Sequence, residues 1–183
     1  MTNVYVQSGY PRIKNDNYRT VDPRCTDAFL KVFTPQGWIV DVCAPDGSGI
    51  VDRCVERGIV ARGVDDALGD TLFSENGEDW IVSNPPYKRD IVDTIIYFQI
   101  NRLREHKVRG VAMLLRANFD FAKSRIPMFR DNPLYRGQIK MLFRPIWIEG
   151  EQRAQPIHNF VWHIWERGDF VGGWNQKTIW YVE

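Results

Sequence analysis

Ser83-Asn84-Pro85-Pro86-Tyr87 follows a short apolar run, Trp80-Ile81-Val82, and precedes a helical pattern that begins near Asp90. Two consecutive prolines exclude both a helix and a central strand at this point, so the chain leaves its strand in a stiff, extended turn. That turn presents a side-chain amide, two carbonyls on residues that carry no N–H, and an aromatic ring from one scaffold. Such a corner can hold a planar, amino-bearing group: Asn84 and the Pro85 carbonyl accept its hydrogens while Tyr87 lies on its face. The competing reading is a proline-stiffened strand exit with no chemistry, and the tripeptide alone does not decide between them.

Upstream, residues 38–43 read as a buried strand. A helix starts before it at Asp22-Pro23, a capping carboxylate followed by proline at the first helical position. Ala28, Phe29, Val32 and Phe33 form its apolar stripe. Residues 50–57 resume a helix that Gly58 breaks, and 59–64 form a weaker strand. Downstream, 90–105 predicts a helix with Ile91, Ile95, Phe98 and Leu103 close to one face. Val111–Leu115 is a further buried strand, and 120–131 reads as helical with an interruption at Pro127. From Gln138 the pattern turns strand-like, over 138–143, 158–165 and 178–182. Alternating helices and strands followed by strands predict an α/β, doubly wound, mostly parallel sheet with an antiparallel C-terminal edge. The length of 183 residues predicts a single domain over 1–183, and no repeat or linker divides it.

Three segments together carry a family likeness. Asp41-Val42-Cys43-Ala44-Pro45-Asp46-Gly47-Ser48-Gly49 lies between a strand and a helix, Asn84-Pro85-Pro86-Tyr87 follows, and Pro156–Trp165 is an aromatic strand. With these the chain resembles the S-adenosylmethionine-dependent amino methyltransferases, which carry (N/D/S)PP(Y/F/W) after the fourth strand of a Rossmann-like sheet. Within that group it is most similar to the small adenine-specific DNA methyltransferases of phages and prophages. The resemblance implies that Asp41, Ala44, Asp46, Gly47 and Gly49 contact the methionine part of S-adenosylmethionine. It places Asp65, or Asp66 one register on, at the ribose hydroxyls, and Asp70 with Leu72 and Phe73 at the adenine ring. Tyr18 and Thr20 resemble a segment that closes over the cofactor, and Asn84 borders it. The family usually has glycine where this chain has Pro45, and proline cannot keep a glycine-only conformation. The stretch from Asp66 to Asp70 is short for the helix that usually follows.

Bulk properties bound the alternatives. Apolar residues make up 44% and charged residues 26%, a globular composition. No apolar run approaches the length of a membrane span and no signal-peptide pattern is present, so a cytoplasmic protein (host cytoplasm if phage-encoded) is expected. Cys25, Cys43 and Cys54 show no CxxC spacing, and His106, His158 and His163 are scattered, so neither a disulfide framework nor a metal site is expected. The net charge of +1 hides an asymmetry. Residues 1–83 carry 8 Lys/Arg against 13 Asp/Glu, whereas 101–153 carry 12 against 5. Such an excess marks either a nucleic-acid-facing surface or a solvated helix face, and beside a base-binding motif the first reading leads.

The resemblance implies direct methyl transfer to the exocyclic amine of adenine in DNA, with Asn84, Pro85, Pro86 and Tyr87 as the reacting corner. An amine conjugated to a heterocycle is a poor nucleophile, and hydrogen bonds to Asn84 and Pro85 would free its lone pair. In duplex DNA the base must flip out and stack on Tyr87, with His158 or Trp162 completing the pocket. For Trp162 the rival role is core packing. A cytosine amine, an RNA base or a protein glutamine could use the same corner, and a non-catalytic module could have kept the fold alone. No separate target-recognition domain is expected.

Overall fold

The computed structural model describes residues 18–44, 47–69, 73–148, 158–168 and 177–181. Asp22 caps α1 (Pro23–Leu30) through a carboxylate that accepts from the Arg24 amide at 3.1 Å. The chain continues through β1 (Ile39–Asp41), α2 (Gly49–Glu56), β2 (Ala61–Gly63), β3 (Trp80–Ser83), α3 (Arg89–Arg104) and β4 (Gly110–Arg116). Two 3-10 turns, Phe119–Phe121 and Lys123–Arg125, precede β5 (Tyr135–Met141), β6 (Phe160–Glu166) and β7 (Lys177–Tyr181). The described strands form one sheet in the order β2-β1-β3-β4-β6-β5-β7. β6 runs antiparallel to both β4 and β5, and the remaining pairs are parallel. The doubly wound, mostly parallel α/β sheet is therefore the expected one. Its antiparallel strand lies within the C-terminal half, one strand in from β5 and two from the rim.

Alternation along the strands divides the core into two layers. Ile39, Trp80, Val82, Ala112, Leu114, Trp162 and Ile164 face α1 and α2, where Phe29, Phe33, Ile50 and Cys54 meet them. Val40, Ile81, Val111, Met113, Leu115 and Trp165 face α3. A sheet buried on both faces needs near-continuous apolar strands, which accounts for the unbroken hydrophobic run at 111–115 and for Ile39-Val40 and Val42 on either side of Asp41. On α3 the inward residues are Val92, Ile95, Ile96, Ile100 and Leu103. The stripe is rotated from the expected one, leaving Ile91 and Phe98 half-buried.

Two expectations need correction. The stretch 120–131 is not a helix but two 3-10 turns and a loop. Pro127 lacks an amide hydrogen and its ring would collide with the carbonyl four residues back, so a helix cannot run through it. The Arg125 guanidinium instead holds the loop, donating to the Phe119 carbonyl and the Asp93 carboxylate, each at 2.8 Å. Trp162, a candidate for the base pocket with core packing as the favoured rival, is fully buried, as the rival role requires. Its indole N–H donates to the Cys25 carbonyl at 2.7 Å and its ring packs on Phe29. It fixes α1 to the sheet and cannot touch a ligand.

His163 on the opposite face of β6 is also fully buried, with Nδ1 2.8 Å from the Tyr135 hydroxyl and Nε2 unpaired. Burial pushes its imidazole down from 6.5 to about 3. As pH falls below about 6.5 the unfolded chain takes up a proton here that the folded chain refuses until about 3, so stability drains across that window and is complete above it. Between pH 7 and pH 5 the wild type should lose about 2 kcal/mol more than His163→Phe, measured by urea denaturation at both pH values. Equal losses in the two proteins would show that this imidazole protonates freely in the fold.

Candidate active site

The C-terminal ends of β1 and β3 lie side by side, and polar groups bind them together. Asp41, the last residue of β1, is 4% exposed. Its carboxylate accepts from the Ser48 hydroxyl at 2.6 Å, from the Cys43 amide at 3.1 Å, and from the Ser83 hydroxyl. Ser83, the last residue of β3, also accepts from the Val42 amide at 3.0 Å. Ser48 is at the same time the N-cap of α2, accepting from the Val51 amide at 3.0 Å. One carboxylate thus joins the loop after β1, the start of α2 and the proline corner after β3. Burial raises its pKa, and the three hydrogen bonds offset that rise in part. Neither serine was expected in the site; Ser48 was legible as a cap, but its second bond depends on the strand register.

Asn84 and Pro85 are buried at this corner, and Tyr87 is half-buried. The Asn84 Nδ2 donates to the Tyr18 carbonyl at 2.7 Å, which fixes Oδ1 as the acceptor facing Tyr87. The Tyr87 hydroxyl donates to that Oδ1 and lies 3.2 Å from the Leu114 carbonyl. Burial raises the phenol pKa, so it stays a donor. No donor among the described residues reaches the Pro85 carbonyl. The Tyr87 ring packs against Phe160 at 5.4 Å and Trp147 at 6.4 Å, with the Arg116 guanidinium 5.7 Å from its centre. In this arrangement the ring is folded inward. A flat ligand reaching Asn84 Oδ1 takes the place of the Tyr87 hydroxyl.

Residues 18–20 pass over both halves of the site. Tyr18 holds Asn84 through its carbonyl. The Thr20 carbonyl lies so close to α2 that a Cβ on Gly49 would come within 1.9 Å of it. Any larger residue at Gly49 would push the segment away. Gly47 has φ +93°, a left-handed conformation that glycine adopts without strain. The Thr20 Oγ1 is buried without a partner. Ala44 donates to the Val64 carbonyl at 3.0 Å, and Cys43 forms an isolated bridge with Asp65, which brings that exposed carboxylate beside the loop.

The structure therefore gathers Tyr18, Thr20, Asp41, Ala44, Gly47, Gly49, Asp65, Asn84, Pro85, Pro86 and Tyr87 at one end of the sheet. Pro45, Asp46, Asp70 and Leu72 lie outside the described residues. The loop that leads to Asp70 is held by two polar residues of α3 that were not anticipated. Gln99 donates to the Ala67 carbonyl at 2.6 Å, and Arg102 donates to the Gly69 carbonyl while stacking on Phe73 and Phe98. Both are buried polar residues on a helix face, a pattern the helical stripe alone does not explain. His158 is exposed at the entrance to β6, where desolvation and the Arg116 charge lower its pKa. Among the described residues no group of three or more His, Cys, Asp or Glu could hold a metal ion, and no helix is long and apolar enough to cross a membrane.

No family model matches this chain, and no curated protein matches it in sequence. A crystal structure from Listeria monocytogenes, provisionally assigned as a class I S-adenosylmethionine-dependent methyltransferase, superposes with a TM-score of 0.53 at 12% identity. The alignment covers 92% of this chain and 66% of that one. The chain has the class I methyltransferase fold. At that identity the likeness is one of architecture, and this chain spans just under two thirds of the other's length.

If Ser83 couples the two strand ends as described, Ser83→Ala strips one partner from a buried carboxylate and leaves the Val42 amide unpaired. The expected loss is about 2–4 kcal/mol in chemical denaturation. A loss under about 1 kcal/mol, the size of an ordinary solvent-compensated hydrogen bond, would mean that the strand ends are held by other contacts.

Proposed function

We propose that this chain is an S-adenosylmethionine-dependent methyltransferase that modifies the exocyclic amino group of adenine in DNA. The observation that carries it is the hydrogen bond from Ser83, at the end of β3, to Asp41, at the end of β1, which sets a glycine-containing loop beside the diproline corner that carries the Asn84 acceptor. The chain's own groups fit such a cofactor: Gly47 leaves open space beside the loop, Thr20 Oγ1 is an unpaired buried hydroxyl, and Asp65 stands just past the end of β2 for vicinal hydroxyls. Ligands of open α/β sheets bind at these carboxyl ends of the strands.

S-adenosylmethionine, when bound, supplies an electrophilic methyl group. The residues here do the rest. Asn84 Oδ1 and the Pro85 carbonyl accept the two amine hydrogens, which favours a pyramidal nitrogen and exposes its lone pair. Tyr87 gives up its bond to Asn84 and presents its ring to the flipped base. The segment 18–20 holds the Asn84 amide plane so that Oδ1, not Nδ2, faces the amine. Adenine is favoured over cytosine because asparagine leads the motif in the adenine-specific members that the chain resembles. DNA is favoured over protein because of the cationic excess after residue 100.

The test is transfer of labelled methyl to duplex DNA followed by nucleoside digestion, with label expected in N6-methyl-2′-deoxyadenosine. Asn84→Ala should abolish transfer with little change in cofactor affinity. Label in cytosine, RNA or protein would reassign the substrate. The two roles of Tyr87 separate by mutation: Tyr87→Phe keeps the ring and should remain within about tenfold of wild type in kcat/KM, whereas Tyr87→Ala loses base stacking and should fall by roughly 100-fold. Equal losses in the two variants would place the catalytic contribution in the hydroxyl.

A further inference from the structure

A cleft of about 550 Å³ opens at the same end of the sheet, lined in part by Ala117, Phe121, Gln138, Lys140, Arg144 and Phe160. Phe160 is shared: it lines the cleft and packs against the Tyr87 ring at 5.4 Å. The cleft therefore begins where the proposed target base would sit. Phe121 stands at its edge with 82% of its surface exposed, the most exposed large apolar side chain among the described residues. Nothing in the packing of the fold requires a bare aromatic ring there. Beneath it, the Gln138 Oε1 is a buried acceptor without a partner.

Charge points to the occupant. Many cations of the basic stretch are engaged within the protein: Arg125 with Asp93, Arg109 with Glu166, Arg130 with Asp131, and Arg102 on two aromatic rings. Arg144 is exposed and lines the cleft, Lys140 lines it as well, and the Arg116 guanidinium lies over Tyr87. Lys88 and Arg89 are exposed just past the proline corner. The acid facing this rim is Asp120, whose carboxyl burial raises and the Lys140 charge lowers. An exposed ring beside a line of cations suits a polyanion carrying flat bases.

Resting on the methyltransferase reading, we propose that this cleft seats the DNA strand next to the target adenine. Phe121 stacks on a neighbouring base, filling the gap left by the flipped one, while Arg144 neutralises a phosphate. Phe121 is then a substrate-binding residue that contributes to strand capture and takes no part in the methyl transfer step.

Fluorescence anisotropy with a labelled duplex, run from 50 to 200 mM salt, tests this on the full chain alongside cofactor calorimetry and the methyl-transfer assay. Phe121→Ala should weaken DNA binding about tenfold and leave cofactor affinity unchanged, while Phe121→Trp, which keeps a stacking ring, should retain wild-type binding. Arg144→Ala should reduce the slope of log affinity against log salt by about 1. If the wild type methylates DNA but Phe121→Ala and Arg144→Ala bind it as tightly and with the same salt slope, the strand lies elsewhere and this inference fails while the function stands. If the wild type methylates protein and neither binds nor methylates DNA, the proposed function and this inference fall together.

Discussion

The hydrogen bond between Ser83 and Asp41 is the contact on which the rest of the site depends. Adjacent parallel strands end at independent points, and nothing in a ladder of backbone bonds fixes what the chain does beyond it. Here a buried carboxylate ties the end of β1 to the end of β3 and, through Ser48, to the first turn of α2. A buried acid is costly unless its acceptors are satisfied, and three donors meet it within the fold. The same contacts that stabilise Asp41 therefore bring a glycine-containing loop and a diproline corner into a fixed relation. Tyr18 and Thr20 close the arrangement from above by touching Asn84 on one side and Gly49 on the other.

The antiparallel β6 shapes the other half of the site. Because it runs against β4 and β5, its first residues meet the last residues of β4 at the ligand end of the sheet, with Phe160 opposite Arg116. A parallel strand in that place would bring its C-terminal end there instead. The reversal delivers Phe160 and Asn159 to the side of Tyr87 and opens the cleft beyond them. Further along the same strand, Trp162 and Trp165 anchor the two layers through indole hydrogen bonds to the Cys25 and Met128 carbonyls, each at 2.7 Å. One strand thus serves the core along most of its length and the surface at its entrance.

Much of this was legible in the residues. Pro85-Pro86 dictated a strand exit, Asp22-Pro23 a helix start, and the mostly apolar stretches at 38–43 and 111–115 buried strands. What could not be read follows from register and from side-chain direction. The bond from Ser83 to Asp41 links residues 42 apart and exists only because β1 and β3 are neighbours in register. Trp162 stood between a pocket and the core because the strand is rich in aromatics, and burial on both faces of the sheet decides for the core. The stretch 120–131 read as helical with an interruption at Pro127, and in the fold 3-10 turns and a loop replace it. Tyr87 was read as an open stacking face; in the folded chain its hydroxyl covers the Asn84 acceptor.

The central claim is that the linked ends of β1 and β3 form one binding place for a sulfonium cofactor. Isothermal titration of the wild-type chain with S-adenosylmethionine tests it most directly. Saturable binding with one site per chain, weakened by substitution of Asp65 and Gly49, is the predicted result. No heat of binding at millimolar cofactor would contradict the account and leave the fold without the chemistry proposed for it.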